Sequence, residues 1–456
     1  AFKSNSTLEE VFDEQGIPTR SEFLKFLFVG PYGAYGTLRI LTPNEGVENI
    51  SWSLLRTTNN VDSIVYNANL GSIEGYKKLI TDNKFDVIGF SPIVLEKDVD
   101  LMIEGAKLSP HSLKIAGGSG VQRIPPDVFL KTFPVDITVY GQGEEACRSL
   151  AEILSKNSSR NDFGSIPNIA FYNNGKIIVT EKVRLKSYES PKSQSDDIPF
   201  EVTDIYHRTN YIKRREELGV TSPQIIDHIG KRRLMITYSD HCKASCAFCG
   251  VPKNEQKKRN IEDIVSEMKE KLLQTKDYDS VHFFDNTFST HRKDVLILCQ
   301  RIIEEGLEIV PKACKFRADQ VDKEMLDVFA KAGFTRIFYG IESFDDEVLE
   351  FMEKRTTAKQ NIDALTMTLD AGIKPGINLI LPSPADNKET VLKTIRTTLD
   401  FVKRGATLNL MPYMCAGFNT PITKKYPELI EYSEFFVEGM RNIYRRPYCV
   451  KLPAKM

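Results

Sequence analysis

The chain has 456 residues, too many for one ordinary domain, so two domains and a connector are expected. Hydrophobic residues at 41% and charged residues at 27% describe a globular protein, and a formal net charge of -1 argues against a general polyanion binder. The basic clusters Lys231-Arg232-Arg233 and Lys257-Lys258-Arg259 read as solvated faces, so nucleic acid is not expected as a partner. No apolar run approaches the roughly 20 residues of a membrane span. Ala1-Phe2-Lys3-Ser4 runs into Glu9 and Glu10 without a signal-peptide core, so a cytoplasmic protein is expected.

The N-terminal third alternates short apolar runs with helical segments. Phe26-Leu27-Phe28-Val29, Ser63-Ile64-Val65-Tyr66, Asp86-Val87-Ile88-Gly89-Phe90, Leu113-Lys114-Ile115-Ala116 and Asp136-Ile137-Thr138-Val139-Tyr140 read as buried parallel strands. Helical patterns at 73–80 and 97–106 lie between them, which predicts a Rossmann-like, doubly wound parallel sheet over residues 1–155. In such a sheet the ligand crevice lies beyond the carboxyl ends of the strands, where Ser91, Gly117, Gly118, Ser119, Gly141, Gly143 and Glu144 fall. Glycine there lets a ligand approach the backbone closely. Each turn taken singly reads more readily as a plain strand-to-helix connection, and only their combination points to a ligand.

Residues 156–230 read as a connector: a hairpin across Asn173-Asn174-Gly175, a polar run at 187–197 and a bridging helix at 204–218. From 231 to 415 the pattern is strand, loop, helix, repeated. Strands are expected at 234–238, 281–284, 310–316, 336–341, 374–381 and 408–413. One helix carries Ile261, Ile264, Val265, Met268 and Leu272 on a single face, and another is bounded by Asp322 and Gly333. This predicts a partial (βα)6 TIM-type barrel with its chemistry at the carboxyl ends of the strands. Asp285, Arg317, Glu342 and Ser343 stand at those ends, and Gly376 and Asn378 share one face of the fifth strand. Alternation from Asp285 and Arg317 predicts that His282 and Cys314 face the helical layer, and the aromatics of the fourth strand read as packing. The tail, 416–456, is expected to close the barrel.

The loop after the first barrel strand is His241-Cys242-Lys243-Ala244-Ser245-Cys246-Ala247-Phe248-Cys249-Gly250, with thiols spaced C-x3-C-x2-C. Three cysteines this close can ligate three irons of a [4Fe-4S] cubane, whose usual ligand set is four thiolates, leaving one iron open. The alternative is a structural zinc site with His241 as fourth ligand. It is disfavoured because closed zinc sites usually pair two C-x2-C knuckles, and no second knuckle occurs. Cys147, Cys299, Cys314, Cys415 and Cys449 are scattered, as in a reducing compartment, and Cys415 reads as a small buried filler.

The C-x3-C-x-Phe-C stretch at the end of a strand resembles the signature of the radical S-adenosylmethionine (radical SAM) superfamily. The resemblance implies that the open iron is chelated by the amino and carboxylate groups of S-adenosylmethionine (SAM). One electron, from a flavodoxin- or ferredoxin-type donor, then yields a 5'-deoxyadenosyl radical. The matching SAM positions are Phe248, Asp285, Arg317, Glu342, Ser343 and Asn378: Asp285 for the ammonium, Arg317 for the carboxylate, and Glu342 for ribose or ammonium. The stretch from about 25 to 155 is similar to the cobalamin-binding domain of one branch of the superfamily, which implies cobalamin contacts from Ser91, Gly117, Gly118, Ser119, Gly141, Gly143 and Glu144. Three departures follow. Gln142 replaces the family's more usual glutamate, and no histidine precedes His111, so no protein imidazole is expected on the cobalt's lower face. Leu381-Pro382-Ser383-Pro384-Ala385-Asp386 stands where many relatives carry Gly-x-Pro-Gly-Glu-Thr, so this loop is not expected to contact SAM in the usual way. The activity implied is that of a class B radical SAM methyltransferase acting on an unactivated carbon of a small molecule, peptide or natural-product intermediate. Ring formation or rearrangement without methyl transfer is the alternative, and a non-enzymatic iron-sulfur or zinc protein is a second. A methylthiolating RNA enzyme would need three cysteines in the N-terminal domain, where only Cys147 lies.

Overall fold

The computed structural model describes most of residues 24–181 and 233–450. Outside the described residues lie 1–23, 182–232, 240–241, 250–257, 275–277, 412–419, 437–442 and 451–456, with scattered positions between 31 and 159. The expected polar run at 187–197, the bridging helix at 204–218, and Cys415 fall there. The chain divides into two compact units, one holding the N-terminal sheet and the other the six strands between 233 and 411.

In the first unit, β1 (Leu24–Val29), β2 (Val61–Tyr66), β3 (Val87–Phe90), β4 (Leu113–Ala116) and β5 (Ile137–Val139) pair in parallel in the order β2-β1-β3-β4-β5. The strands are buried along nearly their whole length, which is why they read as continuous apolar runs instead of alternating ones. Helices α1 (Ile73–Asp82), α2 (Glu96–Leu108), α3 (Pro126–Thr132) and α4 (Gly143–Ser155) connect them. The hairpin expected in the connector belongs instead to this sheet. Its strands β6 (Ile169–Asn173) and β7 (Lys176–Val179) extend the sheet antiparallel from β5. The reason is that β6 has an apolar face to bury: Ile169 and Phe171 join the domain core. Asn174 (φ 48°) and Gly175 (φ 72°) supply the left-handed turn that a tight hairpin needs.

In the second unit, β8 (Arg233–Ile236), β9 (Ser280–Phe283), β10 (Lys312–Phe316), β11 (Phe334–Glu342), β12 (Lys374–Ile380) and β13 (Thr407–Met411) form one parallel sheet in chain order. The helices α5 (Ile261–Met268), α6 (Arg292–Glu304), α7 (Lys323–Lys331), α8 (Asp346–Phe351), α9 (Ala358–Asp370) and α10 (Lys388–Lys403) lie between them in sequence. The architecture is the expected partial barrel following a doubly wound domain. Asp322 caps α7 by accepting from the Met325 N–H, and Gly333 at φ 82° ends that turn.

Strand parity sets which side chains reach the barrel interior. Val281, Phe283, Cys314, Phe316, Ile337, Tyr339 and Ile377 pack with the helices, as expected for Cys314. His282, on the opposite parity of β9, therefore faces inward, where its ring stacks on Phe338 at 5.8 Å and meets Phe284 edge-on. The expectation for His282 was wrong because its parity was counted from Asp285. The strand ends at Phe283, and the chain has turned before Asp285.

At the amino end of β10, Lys312 is fully buried and donates to the carbonyls of Leu307 and Val310, each at 2.6 Å. Burial pushes its amine down to about 7. The folded chain therefore holds fewer protons than the unfolded chain between about pH 7 and the ordinary lysine range, and stability rises with pH across that window. We expect a slope approaching about 1.4 kcal/mol per pH unit, measured by urea unfolding at pH 7 and 9. Lys312→Met is expected to flatten it, and an unchanged slope would refute the assignment.

Candidate functional site

The cysteine loop leaves β8 through Tyr238 and Ser239, and the turn after β9 holds it in place. Asp285 is fully buried, accepting from the Tyr238 N–H at 3.0 Å and the Ser239 N–H at 2.6 Å. Burial raises its carboxyl to about 7, against the lowering effect of those hydrogen bonds. Both oxygens of Asp285, expected to meet a ligand ammonium, accept from the protein's own backbone, so that Asp285 braces the loop. Asp294 of α6 adds to this, accepting from the Tyr238 hydroxyl and from Lys258, both at 2.6 Å. Ser239 and Lys258 form a β-bridge across the returning chain, and the buried pair Arg259–Glu267 at 2.7 Å ties that return to α5.

The three thiols differ in burial: Cys246 is buried, while Cys242 and Cys249 are half-buried. Among the described residues no three His, Cys, Asp or Glu side chains converge on one point as a single ion requires. A cubane takes each thiol on a different iron and does not ask for that convergence. Two of the sulfurs already have a polar neighbour. Thr287 Oγ1 lies 3.3 Å from Cys242 Sγ, and Arg317 Nη1 donates to Cys246 Sγ at 3.6 Å. With a thiolate at 242 only the hydroxyl can donate, and its single proton, held by the Asn286 carbonyl at 2.8 Å, would have to turn to the sulfur. Arg317 is not free to clamp a ligand carboxylate as expected. Its fork is occupied by Asp319, at 2.9 and 3.2 Å, and by the Lys354 carbonyl at 2.7 Å.

Thr287 was missed in the sequence because a threonine four residues past a strand carries no signal of its own. Hydrogen bonds to cluster sulfurs stabilise the more negative, reduced state. Thr287→Val is therefore expected to lower the midpoint potential of a cluster held by this loop. Thr287→Ser is expected to leave it near the wild-type value. A potentiometric titration in which Val and Ser variants agree would contradict this role.

Glu342 ends β11 at a bulge, with φ 64°, in the left-handed region that a non-glycine residue enters at a cost. Its Oε1 accepts from Lys354 Nζ at 3.0 Å, and both side chains are largely buried. Lys354 is presented by another strained turn, between Glu353 (φ 50°) and Arg355 (φ 57°), and its ammonium lies 6.0 Å from the Phe248 ring. Gly340 makes room for the pair: a Cβ there would lie 2.8 Å from Glu342 Oε1 and 2.9 Å from Lys354 Nζ. The Ala247 N–H donates to the Met352 carbonyl, so the cysteine loop and the Lys354 turn are hydrogen-bonded together. Asn378 lies on the inner face of β12, donating to the Tyr339 carbonyl and accepting from Asn409, each at 3.0 Å. Ser343 is fully buried; its hydroxyl accepts from the Asp345 N–H and meets Thr394. It braces the turn into α8. The loop 381–386 closes on itself, the Ser383 N–H donating to Asp386 at 2.7 Å.

In the N-terminal sheet, Ser91 follows β3 and Gly117 and Gly118 follow β4, all at the carboxyl ends. Gly118 has φ 88°, and a Cβ on it would lie 2.5 Å from Ser91 Oγ, so the two turns approach closely and require glycine. Gly143 and Glu144 open α4. Ser119 and Gly141 lie outside the described residues. His111 is 3.3 Å from Ser109 Oγ and precedes β4, at the amino ends of the strands, away from these turns.

Residues 236–398 match the family model for the radical SAM superfamily. An uncharacterized methyltransferase of Pyrococcus horikoshii is 24% identical over 62% of this chain and 56% of its own length. The anaerobic magnesium-protoporphyrin IX monomethyl ester cyclase of Cereibacter sphaeroides is 24% identical over 75% of this chain and 56% of its own. The chain thus spans about half the length of these curated relatives. Among solved structures, TsrM from Kitasatospora setae, a radical SAM methyltransferase with cobalamin and a [4Fe-4S] cluster bound, superposes with a TM-score of 0.70 at 14% identity. It covers 95% of this chain and 80% of the TsrM chain, a likeness of fold. Among the described residues no helix is long and apolar enough to cross a membrane.

Proposed function

We propose, from the match of residues 236–398 to the radical SAM superfamily model, that the chain is a cobalamin-dependent radical SAM enzyme. On this reading it methylates an unactivated carbon of a small molecule or peptide. The observation that carries the proposal is the three-thiol loop at the carboxyl end of β8, with donors facing Cys242 and Cys246. Cys242, Cys246 and Cys249 would hold the [4Fe-4S] cluster, which supplies the electron that splits SAM.

Glu342 and Lys354 offer a carboxylate and an ammonium side by side, the complement of the ammonium and carboxylate of SAM's methionine. Phe248 and Asn378 would flank the nucleoside. Asp285, Arg317 and Ser343 would serve by fixing the loops and not by touching the ligand. Ser91, Gly117, Gly118, Ser119, Gly141, Gly143 and Glu144 would line the crevice for cobalamin, which supplies a methyl relay. With His111 at the far end of the strands, no imidazole among the described residues of this unit would reach the cobalt. The electron would come from a low-potential flavodoxin- or ferredoxin-type donor.

A ring-forming reaction is the second reading, favoured by the likeness to the cyclase over 75% of this chain. Protein loaded with cluster and cobalamin, incubated with SAM and a low-potential reductant, separates the two. Methyl transfer predicts S-adenosylhomocysteine together with 5'-deoxyadenosine. 5'-Deoxyadenosine alone favours ring formation, and neither product defeats both readings.

A further inference from the structure

We infer that the inner wall of the barrel receives an anionic group of the substrate, a phosphate or a carboxylate, at Lys315 and Arg336. The inference rests on the enzyme reading above and narrows its substrate class. Barrel interiors of this type are usually filled with branched apolar side chains. Here the inward parities of β9, β10, β11 and β12 carry His282, Lys315, Arg336, Phe338 and Asn378. Among the described residues facing this way from the strands, Glu342 is the only carboxylate, and Lys354 already holds it at 3.0 Å.

Arg336 is only 2% exposed, yet a single nitrogen of its guanidinium is satisfied, Nη1 donating to Thr407 Oγ1 at 2.6 Å. Nε and Nη2 have no hydrogen-bond partner among the described residues. Its charge lies 5.6 Å from the Phe338 ring centroid, which offers a partial substitute for a counter-anion. A buried guanidinium with two idle donors is costly to maintain, and an anion is the ligand that satisfies both its charge and its geometry. Burial accordingly works against its protonated form. Lys315 stands one inward row nearer the carboxyl end, in register with Phe338, and its ammonium lies 3.7 Å from the centre of the Phe284 ring. Phe284 is 43% exposed and Lys315 half-buried, so this part of the wall is reachable. An anionic group arriving past Phe284 meets Lys315 first, with the unpartnered donors of Arg336 behind it.

The test is calorimetric titration of cluster-loaded protein at low salt with pyrophosphate and with citrate as probes. Wild type is expected to bind at least one of them, and both Lys315→Met and Arg336→Met to weaken that binding at least about tenfold. Preference for pyrophosphate indicates a phosphorylated substrate; preference for citrate indicates a carboxylate. No binding to wild type, or binding unchanged in the variants, overturns the inference. Thermal unfolding of each variant without probe checks its fold, and if Arg336→Met does not fold, Lys315→Met decides. Should the anion site fail while 5'-deoxyadenosine is still made, only this inference falls. Should SAM cleavage fail with anion binding intact, the enzyme reading falls and the site remains.

Discussion

Replacing Cys242, Cys246 and Cys249 together by alanine is expected to reduce 5'-deoxyadenosine formation to background and to remove the protein's iron. The thiols do not share the work equally, because their surroundings differ. Cys246 is buried against the Arg317 guanidinium, and Cys242 faces Thr287. Removing Cys246 alone also leaves Arg317 Nη1 without its acceptor, so this single change is expected to disturb the loop most. A cluster needs thiolates as ligands, and alanine offers no substitute donor at these positions. SAM cleavage that survives the triple replacement, measured by chromatography of the products, would refute the cluster assignment.

Asp285→Ala carries the second large effect, through a residue that touches no ligand in this account. It leaves the buried N–H groups of Tyr238 and Ser239 without an acceptor, at about 1–3 kcal/mol each. The loss falls where β8 passes into the cysteine loop, so iron retention is expected to fall along with the denaturation midpoint. Asp285→Asn keeps one acceptor oxygen and is expected to lie between the variant and wild type. If Asp285→Ala unfolds at the wild-type midpoint and keeps its iron, the bracing role is wrong and a direct ligand role for the carboxylate regains its place.

What the residues revealed on their own follows from how local each signal is. The C-x3-C-x2-C spacing needs no tertiary context, because all three ligands sit on one loop. The βα alternation survives in the apolar runs of β1, β3 and β4, since strands buried on both faces must be apolar throughout. The roles of Asp285, Arg317 and Ser343 did not follow from their positions. A carboxylate or guanidinium at a strand end serves a ligand or a neighbouring loop equally well, and the choice is made by backbone groups far away in sequence. Lys354 lay hidden for a related reason. It reaches Glu342 only because Glu353 and Arg355 adopt left-handed conformations that their side chains do not advertise. The hairpin at 169–179 was recognised as a hairpin but assigned to the connector, since its turn chemistry is local whereas its pairing with β5 is not.

The central claim is that Cys242, Cys246 and Cys249 hold an iron-sulfur cluster in a protein that also binds cobalamin. Iron, sulfide, zinc and cobalt analysis of anaerobically purified protein tests it most directly. The account predicts about four irons and four sulfides per chain, cobalt in comparable amount to the chain, and no stoichiometric zinc. Zinc without iron would contradict it.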